Sequence, residues 1–163
     1  MGLSEKSAQA SVGKSTQVES IDAFQSFKHD VDNEFLEWVN QKSGSDKHRN
    51  KLLNGGANTA AFSLIDESVR KDFGIFFSGH ILANLVASKI SRSLAKGASV
   101  IDPTCGAGDL LIACARYYPK QINYESTLSF WASRLGGIDI HETFTRTVTS
   151  RLRLLATESH IPD

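Results

Sequence analysis

The sequence predicts an α/β fold in which a helical lead-in precedes one β-α-β unit. Three observations carry that prediction. Val100-Ile101-Asp102-Pro103-Thr104-Cys105-Gly106-Ala107-Gly108 reads as a short β-branched strand running into a tight Gly-x-Gly loop, and Asp109-Leu110-Leu111-Ile112 opens a helix. Leu135-Gly136-Gly137-Ile138-Asp139-Ile140 supplies a second apolar strand, so strand, helix and strand follow in order. Upstream, Phe24, Phe27, Val31, Phe35, Trp38 and Val39 recur at helical spacing.

Residues 1–19 are rich in Ser, Ala, Gln and Lys and poor in large apolar groups. Such a segment buries too little surface to offset the entropy of ordering, so a disordered tail is expected. Gly13-Lys14-Ser15-Thr16 ends like a phosphate loop, but Ala8 stands where the earlier glycine belongs, and the motif is not met. Ile21 to about Gln41 reads as an amphipathic helix that packs on the rest of the protein. Lys42 to Asn58 is polar and holds Gly44, Gly55 and Gly56, which predicts a loop and hinge. A short helix is expected from near Ala60 to about Lys71, so residues 20–72 form the helical lead-in and residues 73–163 the second part.

In that second part, Phe73-Gly74-Ile75-Phe76-Phe77-Ser78-Gly79 leads into Ile81, Leu82, Leu85, Val86, Ile90 and Leu94 at helical spacing, with Gly97 as a left-handed stop. The strand Ser99 to Asp102 follows, then a helix from about Gly108 to Tyr117 that ends near Pro119. Residues 119–134 are expected to form a long connection holding Phe130 and Trp131. The second strand covers 135–140. The last helix covers about Glu142 to Ala156, with Phe144, Val148, Leu152 and Leu155 on one face.

Composition narrows the function classes. A chain of 163 residues holds about one domain. Its 18 basic and 18 acidic residues leave no basic surplus of the kind a dedicated nucleic-acid-binding module needs. Cys105 and Cys114 lie across a loop and a helix, poorly placed for a bridge, and neither has zinc-finger spacing. No apolar run approaches the ~18 residues of a membrane span. The start Met1-Gly2-Leu3-Ser4-Glu5-Lys6 lacks the apolar core of a signal peptide. A reducing, cytoplasmic location is expected.

The residues that could carry chemistry cluster at the strand ends. Asp102 can accept a charge-assisted hydrogen bond from an ammonium group. Gly106 and Gly108 allow close approach of backbone to a ligand, and the helix start beside them favours an anion. Asp139, at the tip of the second strand, is placed for a ribose diol, with Ile140 beside it for a flat ring. Each reading has a structural alternative: the glycines as a plain strand-to-helix turn, Asp139 as a cap for the helix near Glu142, Ser78 as a cap for its own helix. Cys105 reads as a small buried filler, and His80 and His141 as packing or surface residues. Leu111 stands three residues after Gly108, so the third glycine of a dinucleotide loop is absent.

Three segments fall in a telling order: Gly74-Ile75-Phe76-Phe77-Ser78, Asp102-Pro103-Thr104-Cys105-Gly106-Ala107-Gly108 and Gly137-Ile138-Asp139-Ile140-His141. Arg70-Lys71 precedes the first, and an arginine-containing helix, Thr143 to Leu155, follows the last. This order resembles motifs X, I and II of the gamma-class adenine-N6 DNA methyltransferases of restriction-modification systems, over roughly residues 60–157. The resemblance implies a partial, Rossmann-like class I methyltransferase fold and S-adenosylmethionine as cofactor. It assigns cofactor binding to Phe77, Ser78, Asp102, Pro103, Thr104, Cys105, Gly106, Gly108, Asp139 and Ile140. Ser78 would meet the methionine carboxylate, Asp102 the ammonium group, Asp139 the ribose and Ile140 the adenine.

The implied substrate is DNA, bound by the complete enzyme with the target adenine flipped out of the stack. Two departures are visible. Ser78-Gly79 stands where the family has Thr-Pro, and the three prolines are Pro103, Pro119 and Pro162, so no (Asn/Asp)-Pro-Pro-(Tyr/Phe) segment is present. The expectation is therefore a methyltransferase fragment that binds cofactor and transfers nothing alone. The alternative is a non-catalytic or regulatory subunit completed by a partner chain, which would supply the missing strands and the target-recognition region.

Overall fold

Short apolar stretches broken by glycine, and polar segments opened by side-chain caps at Ser45 and Asn123, favour helices over a wide sheet. The computed structural model of the chain describes residues 20–41 and 45–160. The expected tail at 1–19, the Gly13–Thr16 stretch, Gly44 and the last three residues lie outside these. The helices are α1 (Gln25–Gln41), α2 (Asp46–Leu53), α3 (Gly56–Leu64), α4 (Glu67–Asp72) and α5 (Gly79–Leu94). Strand β1 (Val100–Asp102), α6 (Asp109–Ala115), α7 (Tyr124–Ala132), β2 (Leu135–Gly137) and α8 (Glu142–Ala156) follow.

The α/β expectation, and with it the Rossmann-like class I methyltransferase fold, is not met. Of the described residues 65% are helical and 4% are strand. β1 and β2 pair in parallel, Val100 with Leu135, Ile101 with Gly136 and Asp102 with Gly137. They form the only sheet among the described residues. A layered α/β fold needs a sheet wide enough to separate its helices, and two strands of three residues each do not provide one. The strands are short for local reasons. Pro103 has no N–H to continue β1, and Gly136-Gly137 gives β2 little side chain to pack.

Two segments expected as loops are helical, and caps explain both. In the polar 42–58 stretch, Ser45 Oγ accepts from His48 N at 3.2 Å and opens α2. In the 119–134 connection, Asn123 and Ser126 form a reciprocal capping box that starts α7. The helix expected from Ala60 to Lys71 is two helices, α3 beginning already at Gly56 and α4 beginning after Ile65-Asp66. The first helix is interrupted at Ala23-Phe24, so α1 proper starts at Gln25.

One apolar core runs from Ile21 to Ala156, so the lead-in and the second part are packed as one body. α1 lies along α8, α5 lies along α6, and α6 also packs on both strands. α8 has the bounds the spacing predicts, with Phe144, Val148 and Leu155 buried and Leu152 partly so. α5 is turned the other way from its pattern. Ala83, Ala87 and Leu94 face inward, while Ile81, Leu82, Leu85 and Val86 are exposed. Its end is as expected. Gly97 at φ +81° donates to Leu94 O at 2.8 Å and Ala98 to Ser93 O at 3.1 Å, a Schellman stop. Among the described residues no helix is long and apolar enough to cross a membrane.

Candidate functional site

β1 and β2 end side by side, and their ladder continues past the strands. Ile138 N donates to Asp102 O at 2.9 Å and Cys105 N donates to Ile138 O at 2.9 Å. This lays residues 103–108 against residues 138–141. Asp139 then braces the loop: Oδ2 accepts from Gly106 N at 3.0 Å and Oδ1 from His141 N at 2.9 Å. Thr104 N donates to Asp102 Oδ1 at 3.1 Å, closing an Asx turn over the exposed Pro103.

The two loop glycines are required, though by the protein's own packing. At Gly106, φ +49°, an added Cβ would sit 2.8 Å from the Phe77 ring. At Gly108, φ +84°, it would sit 2.8 Å from Val148 Cγ2. Phe77 is held there by edge-on contacts with Phe24 and Phe144, ring centres 5.7 and 5.1 Å away. The segment before α5 is thereby seated against the loop after β1. Phe77 and Ser78 on one side, and Asp102, Thr104, Gly106 and Asp109 on the other, enclose a notch of about 30 Å³. That is the space of about one water molecule, whereas clefts for drug-sized ligands run to about 300–1,000 Å³.

Of the sequence-predicted site residues, Phe77, Ser78, Asp102, Thr104, Cys105 and Gly106 line the notch. Asp139 joins it through Gly106. Ile140 does not. It is exposed and lines a separate cleft of about 640 Å³ with Phe73 and His141. Ser78 holds the N-cap position of α5 without a side-chain capping bond, so its hydroxyl is not used there. The N-cap of α8 is His141 and not Asp139. The start of α6 is a poorer anion site than its sequence suggests. The helix spans only Asp109–Ala115, and the Asp109 carboxylate already occupies its positive end.

Sequence reasoning missed Asp109 and Arg151. Arg151 is fully buried. Its guanidinium donates to Leu52 O (3.2 Å), Leu53 O (3.0 Å), Ala107 O (2.6 Å) and Asp109 Oδ1 (2.8 Å). One side chain thus ties the end of α2, the glycine loop and α6 to α8. The signal was present in the pattern: Arg151 falls on the Phe144–Val148–Leu155 stripe, where a charge must be paired if it is to be buried.

Both cysteines are free and buried. Burial, with Asp139 and Asp102 nearby, pushes the Cys105 thiol up to about 11. Burial and Asp102 push Cys114 up to about 11 as well. Only the thiolate reacts, so both should resist iodoacetamide at pH 8 in the folded protein and react on unfolding. Mass spectrometry of the alkylated chain checks this, and rapid native labelling of Cys105 would show a nucleophilic thiol instead. His141 packs edge-on to Phe73 and Phe144, as a packing histidine does.

Comparison with known proteins adds no assignment: no protein-family model, no curated protein and no solved structure matches this chain.

Proposed function

We propose that this chain is the cofactor-binding portion of an adenine-N6 DNA methyltransferase and that it binds S-adenosylmethionine. The observation that carries the reading is the meeting of Phe77-Ser78 with Asp102–Asp109 at one notch, with Asp139 fastened to the same loop. These are the three segments on which the sequence resemblance rests, and they are far apart in the chain.

The residues fit the cofactor in parts. The notch has room for a single charged group, the ammonium, which the Asp102 carboxylate would receive, and the carboxylate of the amino-acid end would lie outside it against the exposed Ser78 hydroxyl. A carboxylate oxygen has two lone pairs, so Asp139 keeps one on each oxygen for the ribose after its two backbone bonds. Ile138 offers exposed apolar surface to the adenine ring. The cofactor supplies an electrophilic methyl group when bound, and these residues hold and orient it. None of the 163 residues forms the Pro-Pro segment that would hold the target amine, so DNA and the transfer step belong to polypeptide beyond these residues or to a partner chain. The apolar face of α5 and the open edges of both strands support completion by further polypeptide.

Calorimetric titration with S-adenosylmethionine tests the reading. Asp139→Ala should weaken binding by about 1.5–3 kcal/mol, the range for a hydrogen bond to a charged group. Gly106→Val should abolish binding, because the side chain meets Phe77 in a left-handed backbone. Equal affinity in all three proteins, or tighter binding of NADH, would overturn the assignment. The chain alone should transfer no labelled methyl group to DNA.

A further inference from the structure

We propose that the cleft beside β2 docks a second polypeptide in extended form, with apolar side chains at alternate positions and an acidic residue beside them. The proposal does not depend on the cofactor reading; it names what covers one of the open strand edges. The cleft lies between α7, β2 and α8 and measures about 590 Å³, within the ~300–1,000 Å³ of ligand clefts. Leu111, Leu128, Trp131, Val148 and Leu152 form its apolar walls.

The backbone of β2 decides the occupant. Along a strand, successive residues turn their N–H and C=O groups to opposite edges. Arg134 O accepts from Val100 N at 2.8 Å and Ile138 N donates to Asp102 O at 2.9 Å, so residues 134, 136 and 138 face β1. Leu135 and Gly137 therefore face away from β1, and these two, without Gly136, line the cleft. Gly137 is exposed and Leu135 half-buried, so a partner can reach this edge. It offers a donor and an acceptor at each of two points about 6.7 Å apart, the two-residue repeat of a strand. An extended polypeptide has that repeat and a compact ligand does not. Its alternate side chains then fall on the apolar walls. Charge completes the description. Glu142, Arg146 and Arg153 line the rim. Glu142 is paired with Arg146 at 2.6 Å, whereas Arg153 is exposed, lies over the Phe35 ring and is in no ion pair among the described residues. The rim carries one cation in excess, which an acidic residue on the partner complements.

The probe is the peptide acetyl-Glu-Leu-Thr-Leu-Glu-amide, titrated into the full chain and followed by amide exchange at Leu135 and Gly137. One control peptide has its backbone nitrogens methylated, so it keeps the side chains and lacks the donors. Another has lysine for both glutamates. The glutamate peptide should slow exchange at Leu135 and Gly137 about tenfold or more. The methylated peptide should bind about tenfold more weakly or worse, and the lysine peptide about three- to tenfold more weakly. Arg153→Glu, at an exposed position, should reverse the order of the two charged peptides. Four outcomes overturn the proposal. Equal binding of the methylated peptide means that the cleft takes a compact apolar ligand. Equal binding of the lysine peptide, or an unchanged order in Arg153→Glu, means that the rim selects no charge. Protection of Leu135 and Gly137 without peptide, rising with protein concentration, means that a second copy covers the edge. No protection at any peptide concentration means that the edge docks nothing. None of these bears on S-adenosylmethionine binding, which calorimetry reads separately.

Discussion

Arg151→Met is expected to destabilise the fold by about 3–5 kcal/mol, the range for removing one partner of a buried ion pair. In a domain of this size that is a fall of roughly 6–20 °C in melting temperature. Two losses add. The Asp109 carboxylate stays buried with no counter-charge, and the carbonyls of Leu52, Leu53 and Ala107 lose their donor together. Arg151→Lys should recover only part of the loss, because an ammonium cannot fork toward four acceptors on three segments. The double variant Arg151→Met with Asp109→Leu separates the terms. It removes the orphaned charge, so it should be more stable than Arg151→Met alone. Urea unfolding of the four proteins reads this directly. A loss under about 1 kcal/mol for Arg151→Met, the worth of a surface pair, would mean that the guanidinium is hydrated and not the hub of the fold.

That hub also shows where the sequence was readable and where it was not. α8 was legible because one apolar stripe, from Phe144 to Leu155, drives a single long helix against the core. The Gly97 stop was legible because its chemistry is local. α2 was not, because Asp46–Leu53 has no apolar period over its first turns and is held by the Ser45 cap and by packing of Leu52 and Leu53. α7 was hidden for a similar reason, since its start depends on Asn123 and Ser126 acting together. The exposure of Ile81, Leu82 and Leu85 could not be foreseen. Periodicity identifies an apolar face but not whether anything covers it, and α5 uses its alanines against α6 instead.

The candidate site divides along the same line. Contacts made within one loop, such as the Asx turn at Asp102 and the glycine conformations at 106 and 108, follow from residue type. Contacts made by partners distant in sequence do not. Gly106 faces Phe77, Asp139 braces Gly106, and Asp109 meets Arg151 only because the core brings four elements together. Ile140 shows the reverse error. It follows the acid directly in sequence, yet the turn into α8 carries it to a different cleft.

Phe24→Ala is the second large effect. Phe24 is fully buried at the interrupted start of α1, with Phe27, Phe77 and Phe144 ring centres at 5.3, 5.7 and 5.1 Å. Truncating such a ring destabilises a core by about 3–5 kcal/mol, through lost transfer energy and the cavity left behind. The cavity opens next to Phe77, which walls the notch and fixes Gly106. Phe24→Ala should therefore weaken S-adenosylmethionine binding about tenfold even at temperatures where the variant is fully folded. Phe35→Ala is the control, because Phe35 is also buried but packs on Tyr124, away from the notch. It should lower stability and leave affinity unchanged. Unfolding curves and titrations on both variants decide the matter. If both lose affinity equally, binding simply tracks overall stability, and the lead-in does not position the notch. If only Phe24→Ala loses it, the first aromatic of the lead-in sets the geometry of a loop some eighty residues downstream, through the one ring that both segments share.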